Sequence, residues 1–156
     1  MKKTNAMRIL DQAKVIYKTL EYDLNDGHID GVSVATKINK PVEQVFKTLV
    51  LVGQSKTHYV VMVPVDKSVH LKSTAKHFGE KKIEMISVKD ITKLTGYIRG
   101  GCSPLGMKKA FKTVIDESVI LLDEFVFSAG KQGLQIQMDP NEFIKVMHCD
   151  ITNVVE

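Results

Sequence analysis

Short apolar blocks of helical and strand-like spacing follow one another along this chain, and Gly, Pro, Asn and Asp mark most of the junctions. Thr4 or Asn5 can cap a first helix, in which Met7, Leu10 and Lys14 recur at helical spacing. Val15–Tyr22, rich in β-branched and aromatic residues, predicts a strand, and Leu24–His28 carries turn chemistry. A second helix starts at Asp30 or Ser33 and stops near Asn39, because Pro41 disfavours helix in the residue before it. Pro41 suits the start of another short helical piece, Pro41–Val45. Thr48–Val52 and His58–Val65, separated by Gly53-Gln54-Ser55-Lys56, predict a hairpin. Helices are expected over Leu71–Phe78 and Val88–Leu94, with the apolar strip Ile83–Ile86 between them. Gly96–Gly106 reads as loop or short strand. Thr113–Asp116, Ile120–Phe127 and Leu134–Met138 predict strands, the last two joined around Gly130–Gly133. Asp139 and Pro140 then open a final helix, Asn141–Met147.

The order of elements lacks strict βαβ alternation, and neither a Gly/Pro/Ser-rich linker nor an internal repeat interrupts it. The expected architecture is one α+β domain over residues 1–156: a mixed, mainly antiparallel sheet curled into a barrel and flanked by helices. Length and composition agree, since 156 residues with 44% hydrophobic and 26% charged residues suffice for one core. The apolar runs Val60–Val65 and Val119–Leu122 are too short to cross a bilayer, so no membrane partner is expected. Met1–Lys14 lacks the apolar centre of a signal peptide, and two cysteines, Cys102 and Cys149, form no disulfide framework. A cytoplasmic setting follows. The balance of 22 Lys+Arg against 18 Asp+Glu, a net +4, favours anionic partners only slightly.

Candidate chemistry gathers in two places. In Gly96–Gly106, paired glycines open conformations closed to other residues and leave backbone N–H groups free for an ester carbonyl or a phosphate. The same composition also makes a tight turn between strands, and both readings stand. A P-loop is excluded: Gly101 and Gly106 have the right spacing, but Met107 stands where lysine belongs and no Ser or Thr follows Lys108. Lys47 opens an apolar strand, where a cation meets a phosphate or developing oxyanion, or else is simply solvated. Cys102 has no neighbouring base to activate it as a nucleophile, and the five scattered histidines offer no metal-ligand spacing; no metal or cofactor is expected. Lys72, Lys76, Lys81 and Lys82, and again Lys108, Lys109 and Lys112, are solvated helix faces or phosphate contacts without sequence-reading character.

Phe46-Lys47-Thr48-Leu49-Val50-Leu51, then Gly96–Gly106 with its Gly-Gly-Cys-Ser-Pro-Leu-Gly run, then Ser128-Ala129-Gly130-Lys131-Gln132-Gly133-Leu134, together resemble the YbaK/EbsC family over nearly the whole chain. The family comprises free-standing relatives of the editing domain of bacterial prolyl-tRNA synthetase. The resemblance implies a barrel-like sheet and cleavage of the ester in Cys-tRNA(Pro), with Cys-tRNA(Cys) also accepted. It further implies that the substrate's own thiol attacks the ester and leaves as a thiolactone, with no enzyme nucleophile. By the same resemblance, Lys47, Gly100 and Gly101 are the expected catalytic residues, and Tyr22, Thr48, Ser103 and Pro104 are expected to bind substrate. The implied partners are the aminoacyl-tRNA acceptor end and prolyl-tRNA synthetase, with no DNA. Two alternatives remain open: an Ala- or Ser-tRNA deacylase that uses water, and a non-catalytic tRNA- or synthetase-binding module.

Overall fold

The structure, a computed structural model, describes residues 2–156; residue 1 of the expected domain lies outside the described residues. Helix α1 (Asn5–Gln12) is capped by Thr4, whose hydroxyl accepts from Met7 N at 3.2 Å, and buries Ala6, Met7 and Leu10. Lys14 falls beyond its end in a left-handed conformation (φ 59°), not within the helix as its spacing suggests. Strand β1 is Tyr17–Glu21 and helix α2 is Gly31–Lys37, capped by Asp30. A 3-10 turn, Val42–Gln44, follows Pro41 and leads into β2 (Phe46–Gly53) and β3 (His58–Pro64), the expected hairpin. Helix α3 (Leu71–Phe78) ends at Gly79, and β4 (Ile83–Met85) follows. A 3-10 turn, Val88–Asp90, runs into α4 (Ile91–Thr95), and Gly96–Gly106 is loop throughout. Strands β5 (Lys112–Asp116), β6 (Phe125–Lys131) and β7 (Leu134–Met138), helix α5 (Pro140–Met147) and strand β8 (Asp150–Thr152) complete the chain.

The expected strand Ile120–Phe127 is corrected. Asp116 caps a 3-10 helix, Glu117–Leu121, through Ser118 N, and pairing begins only at Phe125. Apolar Ile120 and Leu121 are exposed on that turn, so their hydrophobicity mimicked a strand that the cap prevents.

The barrel is corrected as well. The strands form two sheets, an antiparallel β1-β7-β6 and a mixed β4-β2-β3-β5-β8, and neither is closed. β5 lies parallel to both β3 and β8. Among the described residues the sheets are joined by one parallel bridge, Val45 to Val126. Behind that seam the Phe46 ring stands edge-on to Phe125 at 5.6 Å, and Phe127 and Phe143 close the cluster, each within 5.1 Å of Phe125. All four are buried, and each such side chain contributes about 1.5–3 kcal/mol by leaving water.

A cleft along the open edge of β2

The cleft originates in a gap in strand pairing. Among the described residues, β4 pairs with β2 only at Leu51–Gly53, and β6 bridges the chain only at Val45, just before β2 begins. Between Val45 and Val50 the β2 edge pairs with no strand among the described residues, and a cleft of about 690 Å³ opens along it. Backbone direction alternates along a strand. The Val50 carbonyl accepts from Ile86 N at 3.2 Å on the β4 side, so the N–H and C=O of Thr48, two residues earlier, point the same way, into the gap.

Helix α2 forms one wall. Its first residue, Gly31, packs so closely on Val65 that a Cβ there would lie 2.5 Å from Val65 Cγ1. The turn before it is fastened by Lys37, whose Nζ donates to the carbonyls of Asp23 (2.7 Å) and His28 (2.8 Å) and to the Asp26 carboxylate (2.6 Å). Lys37 thereby holds the Asp26 carboxyl below its ordinary range and keeps His28 and Ile29 at the cleft. Met85, Val88 and Ile91 make an opposite, apolar wall.

The expected site residues separate into two groups. Tyr22, Lys47, Thr48 and Gly100 line the cleft. Lys47 is half-buried and, among the described residues, has neither ion pair nor hydrogen bond; burial draws its ammonium below the ordinary lysine value while Asp66 pulls it back. The hydroxyls of Tyr22 and Thr48 are buried and unpartnered. Ser118 shares that property among the described residues, but it sits on the 3-10 turn after β5, off the cleft. Gly100 has φ +82°, which favours glycine, and a Cβ there would lie 3.0 Å from Ile29 Cδ1.

Gly101, Ser103 and Pro104 are buried and do not line the cleft. The Gly101 N–H donates to Ile98 O at 3.0 Å, and a Cβ on Gly101 would lie 2.9 Å from Gln132 N. Its glycine is required by the turn between β6 and β7, which presses on the loop. Ser103 Oγ accepts from Leu105 N at 3.4 Å inside the loop. The loop is built around buried Tyr97: its hydroxyl donates to Leu105 O at 2.6 Å, and a Cβ on Gly106 or Gly130 would come within 2.7 Å of its ring or hydroxyl. Gln132 Nε2 ties the loop to the β6–β7 turn through Arg99 O at 2.7 Å.

Cys102 does line the cleft, but burial pushes its thiol up to about 11, against a weaker opposite pull from Thr95. His28, Asp30, Arg99, Ser128 and Gln135 also reach the cleft, and the sequence did not mark them as site residues. Ser128 and Gln135 are a cross-strand pair of β6 and β7, where polar residues in alternation read as a solvated face. His28 and Asp30 looked like ordinary turn and cap residues, and nothing in their spacing marks the cleft beside them.

Residues 30–146 match the family described as the aminoacyl-tRNA editing domain. A protein of Enterococcus faecalis named EbsC, a candidate Cys-tRNA(Pro)/Cys-tRNA(Cys) deacylase, is 42% identical over 144 residues, 92% of this chain and 88% of that protein. The proline–tRNA ligase of Burkholderia multivorans is 28% identical over 67% of this chain, which spans 19% of the ligase. A crystal structure of a candidate trans-editing enzyme for prolyl-tRNA synthetase superposes with a TM-score of 0.84 over 100% of this chain and 99% of its own, at 19% identity, a likeness of fold.

Proposed function

This chain belongs to the aminoacyl-tRNA editing domain family, and from that premise we propose that it clears cysteine from mischarged Cys-tRNA(Pro), and also Cys-tRNA(Cys), by cleaving the ester at the tRNA 3′ end. The observation that carries the reading is chemical. A cleft lined by a lysine without an ion pair and by two residues whose buried hydroxyls have no partner among the described residues suits a polar, anionic ligand, because a buried hydroxyl left without a partner costs about 1–3 kcal/mol.

In the proposed reaction Lys47 contacts the terminal adenosine or its phosphate, and Tyr22 and Thr48 hydrogen-bond the aminoacyl-ribose. The substrate cysteine sulfur, having lost its proton, attacks its own ester carbonyl. A C–S bond closes a thiolactone as the C–O bond to the ribose breaks, and the ribose oxygen takes up a proton. Thr48 N–H, aimed into the gap, stabilises the oxyanion that develops. Holding thiolate and carbonyl in line supplies effective molarities on the order of 10⁵ M or more, so the protein needs no nucleophile of its own. The high thiol pKa of Cys102 supports leaving it out of the chemistry. With a cleft that takes only the 3′ end, tRNA identity is left to a prolyl-tRNA synthetase partner, in keeping with the resemblance to part of that enzyme.

A deacylation panel over Cys-, Ser-, Ala- and Pro-tRNA(Pro), with mass analysis of the released product, tests this reading. Cysteine-selective release with a thiolactone product is expected. Equal clearance of Ser-tRNA with no thiolactone would sink it and favour a second reading, which rests on His28 at the cleft: hydrolysis by a water that His28 activates.

A further inference from the structure

Residues 87–109 contain Lys89, Lys93, Arg99, Lys108 and Lys109 against a single acid, Asp90, a net +4. The whole chain carries the same +4, from 22 cations and 18 anions, so the remainder holds 17 of each and is neutral. All excess charge therefore resides in one segment, which also supplies Val88, Ile91, Arg99 and Gly100 to the cleft. All five cations are exposed, and none is in an ion pair among the described residues.

The fold brings the two ends of the segment together. Lys108 N donates to Thr95 O at 3.0 Å, and its aliphatic stem lies 3.2 Å from where a Cβ on Gly96 would stand. Lys108 and Lys109 thus flank α4, which bears Lys93, beside the cleft mouth marked by Arg99. By contrast, Lys72, Lys76, Lys81 and Lys82 share their stretch with Glu80 and Glu84.

We propose that this α4 and Lys108–Lys109 surface is the seat of the RNA duplex next to the ester-bearing 3′ end, gripping its phosphates without reading its sequence. The choice of RNA rests on the editing function proposed above. Exposed lysines without acidic neighbours suit phosphate neutralisation, which works by counterion release. Met85, Val88 and Ile91 line the cleft and would take the unpaired end, while Lys93, Lys108 and Lys109, which do not line it, take the stem.

The test uses an uncharged RNA hairpin with a single-stranded 3′ overhang, so it reads out whether or not the chain cleaves an ester. Binding is followed by anisotropy over a range of salt. Lys93→Gln, Lys108→Gln and Lys109→Gln combined should lower affinity at least tenfold and reduce the salt slope by about 2–3, since each phosphate that is no longer neutralised removes roughly 0.7–0.9 from it. Lys72→Gln, Lys76→Gln and Lys81→Gln combined, an equal charge change elsewhere, should leave both nearly unaltered. Lys109→Glu alone, at an exposed position, gives a second check that does not depend on the triple variant folding. Equal weakening by the two triples would mean only general electrostatics and would overturn the proposal. Unaltered RNA binding in the α4 triple would also overturn it.

Discussion

Tyr22 and Thr48 line one cleft from different parts of the fold, Tyr22 directly after β1 and Thr48 within β2, and each buries a hydroxyl that has no hydrogen-bond partner among the described residues. Groups kept for a ligand at the expense of the free fold have a testable signature. Tyr22→Phe and Thr48→Val should each unfold at the same temperature or higher, because removing an unpaired buried hydroxyl relieves up to about 1–3 kcal/mol. Each should also slow Cys-tRNA cleavage by roughly tenfold, the worth of one hydrogen bond. Thermal melts and single-turnover rates on the same preparations decide it; a loss of stability matching the loss of rate would refute the ligand role.

Lys47 has the same character in ionic form. Burial lowers its pKa, so the ammonium is disfavoured by folding, and it is lost on raising pH sooner than an unperturbed lysine would lose it. The sign is set by the depressed folded value. Below it both folded and unfolded forms are charged and the burial penalty is fully present; the penalty begins to fall as pH rises past that value and is gone only above the ordinary lysine value of the unfolded chain. Lys47→Met should therefore melt no lower than the parent at neutral pH, while its cleavage rate falls on the order of a hundredfold. Parental cleavage should decline on the alkaline side before free lysine titrates. A flat alkaline profile would remove the ammonium from the mechanism.

Cys102 gives the converse case. With its thiol at about 11, only about one molecule in a thousand is thiolate at pH 8, three pH units below. Alkylation by iodoacetamide should be correspondingly slow, and Cys102→Ala should cleave Cys-tRNA within about twofold of the parent. A dead Cys102→Ala protein that still folds would restore an enzyme nucleophile.

Gly101→Ala tests the loop from outside the cleft. The added methyl would press on Gln132 N and the Lys131 carbonyl carbon, 2.9 and 3.2 Å away, backbone atoms that cannot swing aside. Overpacking of this kind costs about 1–3 kcal/mol and should displace Gly100 with it. Both melting temperature and cleavage should fall together, in contrast to the Tyr22 and Thr48 variants, and a melt equal to the parent's would show the loop to be loose.

Local signals in the chain carried through to the fold, and features set by distant partners did not show in it. The Asp139 cap and the hairpin turn at Gly53–Lys56 are legible, and the first two caps are narrowed to Thr4 or Asn5 and Asp30 or Ser33, because each is decided by a few adjacent residues. β8 was not, since three residues become a strand only through parallel pairing with β5, far away in sequence. Ile120 and Leu121 misled because apolar character says nothing of the Asp116 cap before them. At the cleft, residue type alone leaves Lys47 a solvated strand end and Gly100 part of a tight turn, and only the family resemblance singles them out. Gly101, Ser103 and Pro104 share the same motif but support the loop from within, and only the packing around Tyr97 and the β6–β7 turn distinguishes the two roles.

The pairing order also has a meaning for synthesis on the ribosome. β1 has no sheet to join until β7, more than a hundred residues later, has emerged, and β5 is flanked on both sides only after β8 follows. The apolar β2–β3 hairpin can close at once, but its core against Phe125, Phe127 and Phe143 arrives late. Contacts of such long range make folding slow and leave the early hairpin uncovered in the nascent chain. A stalled or prematurely released chain would therefore be prone to aggregation, and the cleft along β2 would come into being as one of the last acts of folding.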